Sequence, residues 1–253
     1  MYNGEKRVKF LNTFYDDLNL SEVLDVIRDH VDSGIPGYMV SMNMAILTLI
    51  EKRASFRNAI TQADLILMDS QPLIWVANHL GLSVSEKLCG SDLIKPVANY
   101  AAKNGFSCFI LGGAPGVPER ASSNLRKEFP QLKICGTLSP EYGFEKDEKQ
   151  LAQIREILTM ANPDIVFVCL GNPKAEELSS ALIQDCGIPF ALCVGAAVDF
   201  VAGNVKRAPL WMRRRGLEWL YRFCHEPVRL FRRYFIESWR FIPIYLRYKK
   251  PGS

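Results

Sequence analysis

Five short runs of small and polar residues each close a β-rich stretch, and they hold the side chains best able to do chemistry. They are Ser41-Met42-Asn43, Asp69-Ser70-Gln71-Pro72, Gly112-Gly113-Ala114-Pro115-Gly116, Gly171-Asn172-Pro173-Lys174 and Gly195-Ala196-Ala197-Val198-Asp199. Asp69 follows an apolar run and precedes Pro72, so its carboxylate stands at a strand end. There it could take a proton from an attacking hydroxyl, or it could cap the helix that Pro72 opens. Ser41 and Asn43 face the same choice, since Asn43 could cap a helix carrying Ile46, Leu49 and Ile50. Gly112 and Gly113 would let backbone N–H groups approach a phosphate at a helix start.

Several chemistries are argued against. The glycine loop does not read G-x-G-x-x-G, and no acidic strand end follows about 20 residues later, which disfavours a nicotinamide-dependent oxidoreductase. No Asp-x-Asp pair occurs, so a metal-bridged nucleotide-sugar site is not indicated and no metal or cofactor is expected. The histidines, His30, His79 and His225, form neither a triad nor a metal cluster and read as surface or structural. The cysteines lack a Cys-x-x-Cys pair, and Cys108, Cys169 and Cys193 lie in apolar runs, as reduced core thiols do. The first ten residues hold no long apolar run, so a signal peptide is not expected. No apolar stretch approaches the roughly 20 residues of a spanning helix.

These loops need a frame. Candidate strands are Gly37–Met42, Asp64–Met68, Ser107–Leu111, Leu132–Cys135, Asp164–Leu170 and Pro189–Val194. They alternate with helix-like segments over Leu73–Leu80, Asp92–Lys103, Pro118–Phe129, Glu148–Met160 and Lys174–Asp185, with apolar residues at three-to-four spacing. Strands apolar on both faces, alternating with helices, predict an α/β fold: a doubly wound, mostly parallel, Rossmann-like sheet. Ligands in such sheets bind beyond the carboxyl ends of the strands, where all five loops lie.

Charge divides the chain. From Lys206 onward there are 13 Lys/Arg and 3 Asp/Glu, a net +10, whereas the first 205 residues hold 18 basic and 24 acidic side chains, a net −6. The expected organisation is an α/β catalytic domain over residues 1–205 and a helical, basic, membrane-associating appendage over 206–253. If Pro227 opens a helix, Val228, Phe231, Phe235, Trp239 and Ile242 share one face at about 3.6 residues per turn, and Arg229, Arg232, Arg233 and Arg240 gather beside it. The other reading is an ordinary helix packed on its own domain. Trp211, Trp219, Tyr234, Tyr245 and Tyr248 among the arginines favour an anionic membrane surface. No nucleic-acid module appears, so a nucleic-acid partner is not expected. Homo-oligomerisation stays open.

Together the segments VSMNMAIL, ADLILMDSQPLIWVANHLG, EKLCGSDLI, FILGGAPGVPERA, PDIVFVCLGNPKAEE and VGAAVDFVAGNVKRAPLWMRRRGLEWLYRFCHEPVRLFRRY resemble the WecG/TagA/CpsF family, glycosyltransferase family 26, over roughly residues 5–240. The resemblance implies a metal-independent, inverting transfer from a UDP-sugar to an undecaprenyl-diphosphate-linked saccharide in cell-surface polysaccharide assembly. It implies Asp69 as the base, with Ser41 and Asn43 beside it. It implies substrate contacts from Lys87, Gly90, Asp92, Gly112, Gly113, Asn172, Pro173, Lys174, Glu176, Gly195 and Asp199. Lipid and acceptor contacts would come from Arg207, Arg214, Arg222, Arg229, Arg232 and Arg233, at the cytoplasmic face of the bacterial plasma membrane. The donor is N-acetylmannosamine-type, glucose or a uronic acid. Three positions depart from the family pattern: Ser70 for glycine, Lys87 for arginine and Ala175 for glutamine. A catalytically silent docking partner of a polysaccharide assembly complex is the alternative.

Overall fold

A computed structural model describes residues 2–225, Pro227, Phe231 and residues 238–249, with the side chains of Leu210, Arg214, Arg222, His225 and Ser238 outside that description. The chain opens with an antiparallel hairpin, β1 (Arg7–Phe10) and β2 (Thr13–Asp16), which the sequence reading did not anticipate. Both strands are four residues long and charged, so neither shows a clean two-residue period. A buried carboxylate holds the hairpin to the body. Asp16 accepts two bonds from Arg7 at 2.9 Å and one from the Ile66 amide at 2.7 Å.

Next come α1 (Leu20–Ser33), β3 (Gly37–Met42), α2 (Met44–Lys52), α3 (Ala54–Thr61), β4 (Leu65–Met68), α4 (Gln71–His79) and α5 (Gly90–Asn104). The second half runs β5 (Ser107–Gly112), α6 (Val117–Glu128), β6 (Lys133–Leu138), α7 (Glu148–Ala161), β7 (Ile165–Cys169), α8 (Lys174–Asp185), β8 (Phe190–Cys193) and α9 (Ala197–Val201). Then follow α10 (Leu210–Arg214), α11 (Glu218–His225) and α12 (Phe241–Tyr248). Strands β3 to β8 form one six-stranded sheet in the order β4-β3-β8-β7-β5-β6, every pair parallel. The expected doubly wound α/β architecture is the one observed.

Successive side chains of a strand face opposite ways, so each strand feeds two cores. Val40, Met42, Ile66, Met68 and Val168 pack with Ile46 of α2, Phe56 of α3, Leu73 of α4 and Leu178 of α8. Met39, Leu67, Ile110, Phe167 and Leu192 pack with Ile27 of α1, Leu93 of α5, Leu125 of α6 and Val198 of α9. Strand β6 runs three residues beyond its expected end. Its apolar run is broken by Gly136, which lies so close to the Phe109 ring that a Cβ there would sit 2.4 Å from it.

Phe241 and Ile244 of α12, 9% and 7% exposed, join the first core beside Ile46, Leu47 and Ile50. Arg247 and Tyr248 both reach Glu51 of α2. Most of the helix expected from Pro227, with Arg229, Arg232 and Arg233, lies outside the described residues. Of its apolar face, Trp239 falls in a 3-10 turn over Ser238–Arg240 and Ile242 in α12, both exposed. No described helix is long and apolar enough to cross a membrane.

Candidate active site

The carboxyl ends of all six strands lie on one edge, and the five chemistry-bearing loops leave from it. The chain goes from β3 outward to β4 on one side, while β3's other neighbour, β8, ends the half built from β5 to β7. A reversal of this kind opens a crevice at the strand ends.

Ser41 is buried near the end of β3, paired in register with Leu67 of β4. Asn43 follows as the N-cap of α2, its Oδ1 accepting from the Ala45 amide at 3.0 Å. Its Nδ2 donates to Asn172 Oδ1 at 3.3 Å, so this residue both caps and reaches across the edge. Asp69 leaves β4 half-buried, and its amide donates to the Met42 carbonyl at 3.0 Å, which ties the exits of β3 and β4 together. The N-cap position of α4 falls on Ser70, one residue later.

Gly112 has φ +109°, and a Cβ there would lie 2.5 Å from the Cys169 carbonyl oxygen, so only glycine lets β5 and β7 end this close together. Gly113 donates its amide to that carbonyl at 3.1 Å. Gly90 opens α5 against the backbone of Val194, where a Cβ would lie 2.7 Å from Cα. Lys87 is half-buried in the preceding loop, which the Leu88 amide fastens to the Met68 carbonyl at 3.2 Å. Gly195 and half-buried Asp199 sit where β8 passes into α9, and the Asp199 charge reaches the buried Cys169 thiol. Pro173 follows a cis peptide bond from Asn172.

Other expected substrate contacts are held by protein partners. Lys174 pairs with Glu145 at 3.0 Å and lies over the Tyr142 ring at 4.9 Å. Asp92 pairs with Arg207 at 2.5 Å and Arg213 at 3.4 Å, so its carboxylate anchors the basic segment. Arg207 also meets Glu218 at 3.3 Å. Arg214 and Arg222 lie in α10 and α11. Glu176 is 2% exposed, and its carboxyl accepts from Asn172 Nδ2. Burial, more than the neighbouring Glu177, pushes its carboxyl up to about 7.

Sequence reasoning passed over Cys89, Arg213, Glu145 and Tyr142. Cys89 donates to Asp92 Oδ2 at 2.7 Å. Burial, then the charges of Asp69 and Asp92, hold its thiol well above the usual range, so it stays protonated beside two carboxylates. The burial of Glu176 had a signal: Glu176, Ser179 and Ile183 recur at i, i+3 and i+7 on the buried stripe of α8. His30 is structural, with its ring against Phe190 and Nδ1 at 2.8 Å from the Ile35 carbonyl.

Buried side-chain atoms with no hydrogen-bond partner in the protein concentrate here. Among the described residues they include Ser41 Oγ, Ser70 Oγ and Glu176 Oε2 at this edge, and Arg213 Nε in the segment docked on Asp92. Buried polar groups are nearly always paired, so this cluster makes the edge a candidate for a polar ligand. No three His, Cys, Asp or Glu side chains among the described residues are grouped to hold a metal ion.

Residues 8–253 match the Glycosyl transferase WecG/TagA/CpsF family. The N-acetylglucosaminyldiphosphoundecaprenol N-acetyl-beta-D-mannosaminyltransferase of Bacillus subtilis (strain 168) is 28% identical over 219 residues, covering 86% of this chain and 83% of the relative. The protein of the same description from Bacillus spizizenii is 27% identical over 216 residues, covering 85% and 82%. The chain belongs to the WecG/TagA/CpsF family of glycosyl transferases.

Proposed function

We propose that this chain moves a hexosyl unit from a UDP-sugar to an undecaprenyl-diphosphate-linked saccharide, with inversion and without a metal ion. The observation that carries this reading is the set of carboxylates at the sheet edge. Asp92 is committed to two arginines and Glu176 is sealed beneath Asn172, while Asp69 at the exit of β4 and Asp199 in α9 are both half-buried; of these two, Asp69 is the one tied to the exit of β3, next to Ser41 and Asn43. Single displacement needs one base and no covalent enzyme intermediate, so one such carboxylate suffices. Asp69 takes the proton of the acceptor hydroxyl as that oxygen attacks the anomeric carbon and UDP departs from the opposite face.

Ser41 and Asn43, two residues apart at the end of β3, face the reacting groups beside Asp69. The Gly112–Gly113 turn, Gly195 and Lys87 receive the donor diphosphate, with backbone N–H groups and one cation offsetting its charge. The activities of the Bacillus relatives support an N-acetylmannosaminyl donor and an N-acetylglucosaminyl-diphosphoundecaprenol acceptor. Ser70, Lys87 and Ala175 are the positions where a glucosyl or uronosyl donor would be accommodated instead. The lipid-linked acceptor places the enzyme peripherally on the cytoplasmic leaflet, with the basic segment toward anionic headgroups.

The test is UDP release on mixing the full chain, each candidate UDP-sugar and the lipid-linked acceptor. Asp69→Asn is expected to lower turnover about 10²–10⁴-fold while UDP binding and melting stay near wild type. UDP binding without release for any donor would favour the silent docking partner. An Asp69→Asn variant that melts early yet keeps its turnover would make Asp69 a structural residue.

A further inference from the structure

Asn43, Asn172 and Glu176 form a line of hydrogen bonds from the start of α2 to the buried side of α8. The Ala45 amide donates to Asn43 Oδ1 at 3.0 Å, Asn43 Nδ2 donates to Asn172 Oδ1 at 3.3 Å, and Asn172 Nδ2 donates to Glu176 Oε1. Donation runs the same way at each step, so the last acceptor fixes how both amides are turned. An Asn172 amide turned end for end would face its NH2 toward Asn43 Nδ2 and lose that bond, and its oxygen would then need the carboxyl proton on the facing oxygen of Glu176. In the observed orientation each asparagine nitrogen keeps a second N–H, one at the end of β3 and one at the end of β7.

The terminal acceptor is an unusual group for such a place. Glu176 is 2% exposed, and its second oxygen, Oε2, is buried with no hydrogen-bond partner among the described residues. An ionised carboxylate with a bare buried oxygen is strongly disfavoured against the neutral acid. Among the described residues, the titratable groups around it bring no compensating positive charge. Glu177 lies beside it on α8, Cys193 faces it from β8 and Tyr38 from β3. Lys174, in the same helical turn, is taken up by Glu145, and Arg53 at the start of α3 by Glu177.

We propose that Glu176 is a positioning residue, a neutral acid whose Oε1 sets the Asn172 and Asn43 amides for substrate without itself touching substrate. Its effect on turnover rests on the transferase reading above; the hydrogen-bond line does not. Ionisation puts a negative charge beneath two amides at the edge that takes an anionic donor, so turnover falls as pH rises through about 7, the value to which burial brings this carboxyl.

The experiment compares wild type, Glu176→Gln and Glu176→Ala in the full chain. The side-chain amide resonances of Asn43 and Asn172 in ¹H–¹⁵N spectra are expected to titrate together near neutral pH in wild type. In Glu176→Gln, which keeps the acceptor and cannot ionise, they are expected to be flat. In the transfer assay Glu176→Gln should keep wild-type kcat and lose the fall above neutral pH. Glu176→Ala should lower kcat about 10–100-fold with little change in KM, as misplaced groups do. Amide signals that ignore pH in wild type, or titrate equally in the Gln variant, overturn the proposal. So does a folded Ala variant with wild-type kcat, or a Gln variant as slow as Ala. If Glu176→Ala does not fold, the Gln variant and the amide titration still decide. If wild type moves no sugar, the transferase reading falls, while the amide titration still reads the line.

Discussion

Arg207 and Asp92 meet at 2.5 Å, and the same guanidinium donates to the Ser91 carbonyl at 3.0 Å. The first arginine of the basic segment is thereby fastened to the first turn of α5, itself seated through Gly90 on the backbone of Val194, just after β8. Arg213 adds a second contact to Asp92, and Gly216 packs against Gln71, two residues after Asp69. Part of the segment's charge therefore holds it over the strand ends instead of facing an outside anion.

Replacing Asp92 with Ala should loosen this closure. Arg207 would keep Glu218 and the Ser91 carbonyl, and the pair is partly exposed, so the expected loss is about 1–2 kcal/mol. Trypsin should then cut faster between residues 206 and 216, where the loop and α10 would lift. Cleavage at the wild-type rate would show that other contacts hold the segment down.

A larger loss is expected at Asp16. Its side chain is fully buried, paired with Arg7 and bonded to the Ile66 amide in β4. Asp16→Ala would take away the carboxylate that Arg7 and the Ile66 amide share, leaving Arg7 only the Ala63 and Asp64 carbonyls, at a cost of about 2–3 kcal/mol. Chemical denaturation measures it. A midpoint close to wild type would mean that the hairpin contributes little to the body.

The difference between these two carboxylates also explains what could be read from sequence. The parallel strands β3, β4, β5, β7 and β8 were legible because they are buried on both faces and read as continuous apolar runs, whereas the end of β6, partly exposed and broken by Gly136, was not. The hairpin was not, since four-residue strands carrying Arg7, Lys9 and Asp16 look like a polar leader until Asp16 is known to be buried. Site loops were legible as strand ends, and capping was one of the two readings open for Asn43. Their pairing was not: Arg207 on Asp92 and Asn43 on Asn172 join residues distant in sequence, and no local period encodes such contacts. Glu176 was partly legible, because it continues the buried stripe of α8, but its charge disguised it.

Glu176 should also make stability depend on pH. Its carboxyl is raised from 4.5 to about 7 on folding. Below 4.5 it is protonated in both states and costs nothing. As pH rises toward about 7 the unfolded chain releases a proton that the folded chain keeps, so stability falls, then stays lowered. The shift corresponds to about 3 kcal/mol, absent from Glu176→Gln. Urea midpoints of the two proteins should diverge across this range. Parallel pH profiles would show that Glu176 is ionised in the folded protein.

The last expectation concerns the membrane. Trp211, Trp219, Leu220, Phe231, Trp239, Ile242 and Leu246 are all exposed in or beside the segment that carries the net +10 charge. Exposed aromatics interleaved with arginines suit a headgroup layer, where rings bury and cations meet lipid phosphate. Near an anionic leaflet each basic side chain contributes about 1 kcal/mol, within a Debye length. Deleting the whole segment is a poor test, because it would also strip Phe241 and Ile244 from the core and Arg207 from Asp92. Substitution is cleaner. Arg229, Arg232 and Arg233 changed together to Glu reverse the charge, and Trp211→Ala with Trp219→Ala removes two exposed rings. Both variants should melt like wild type. Wild type should bind vesicles containing anionic lipid and leave them as salt rises, whereas the Glu variant should bind at least about 100-fold more weakly, three reversed charges each losing that contribution. The Trp variant should lose affinity at every salt concentration, since its term is apolar. A triple Glu variant that still sediments with anionic vesicles would leave the arginines a structural part alone. Binding unaffected by salt in wild type would point instead to a purely apolar contact.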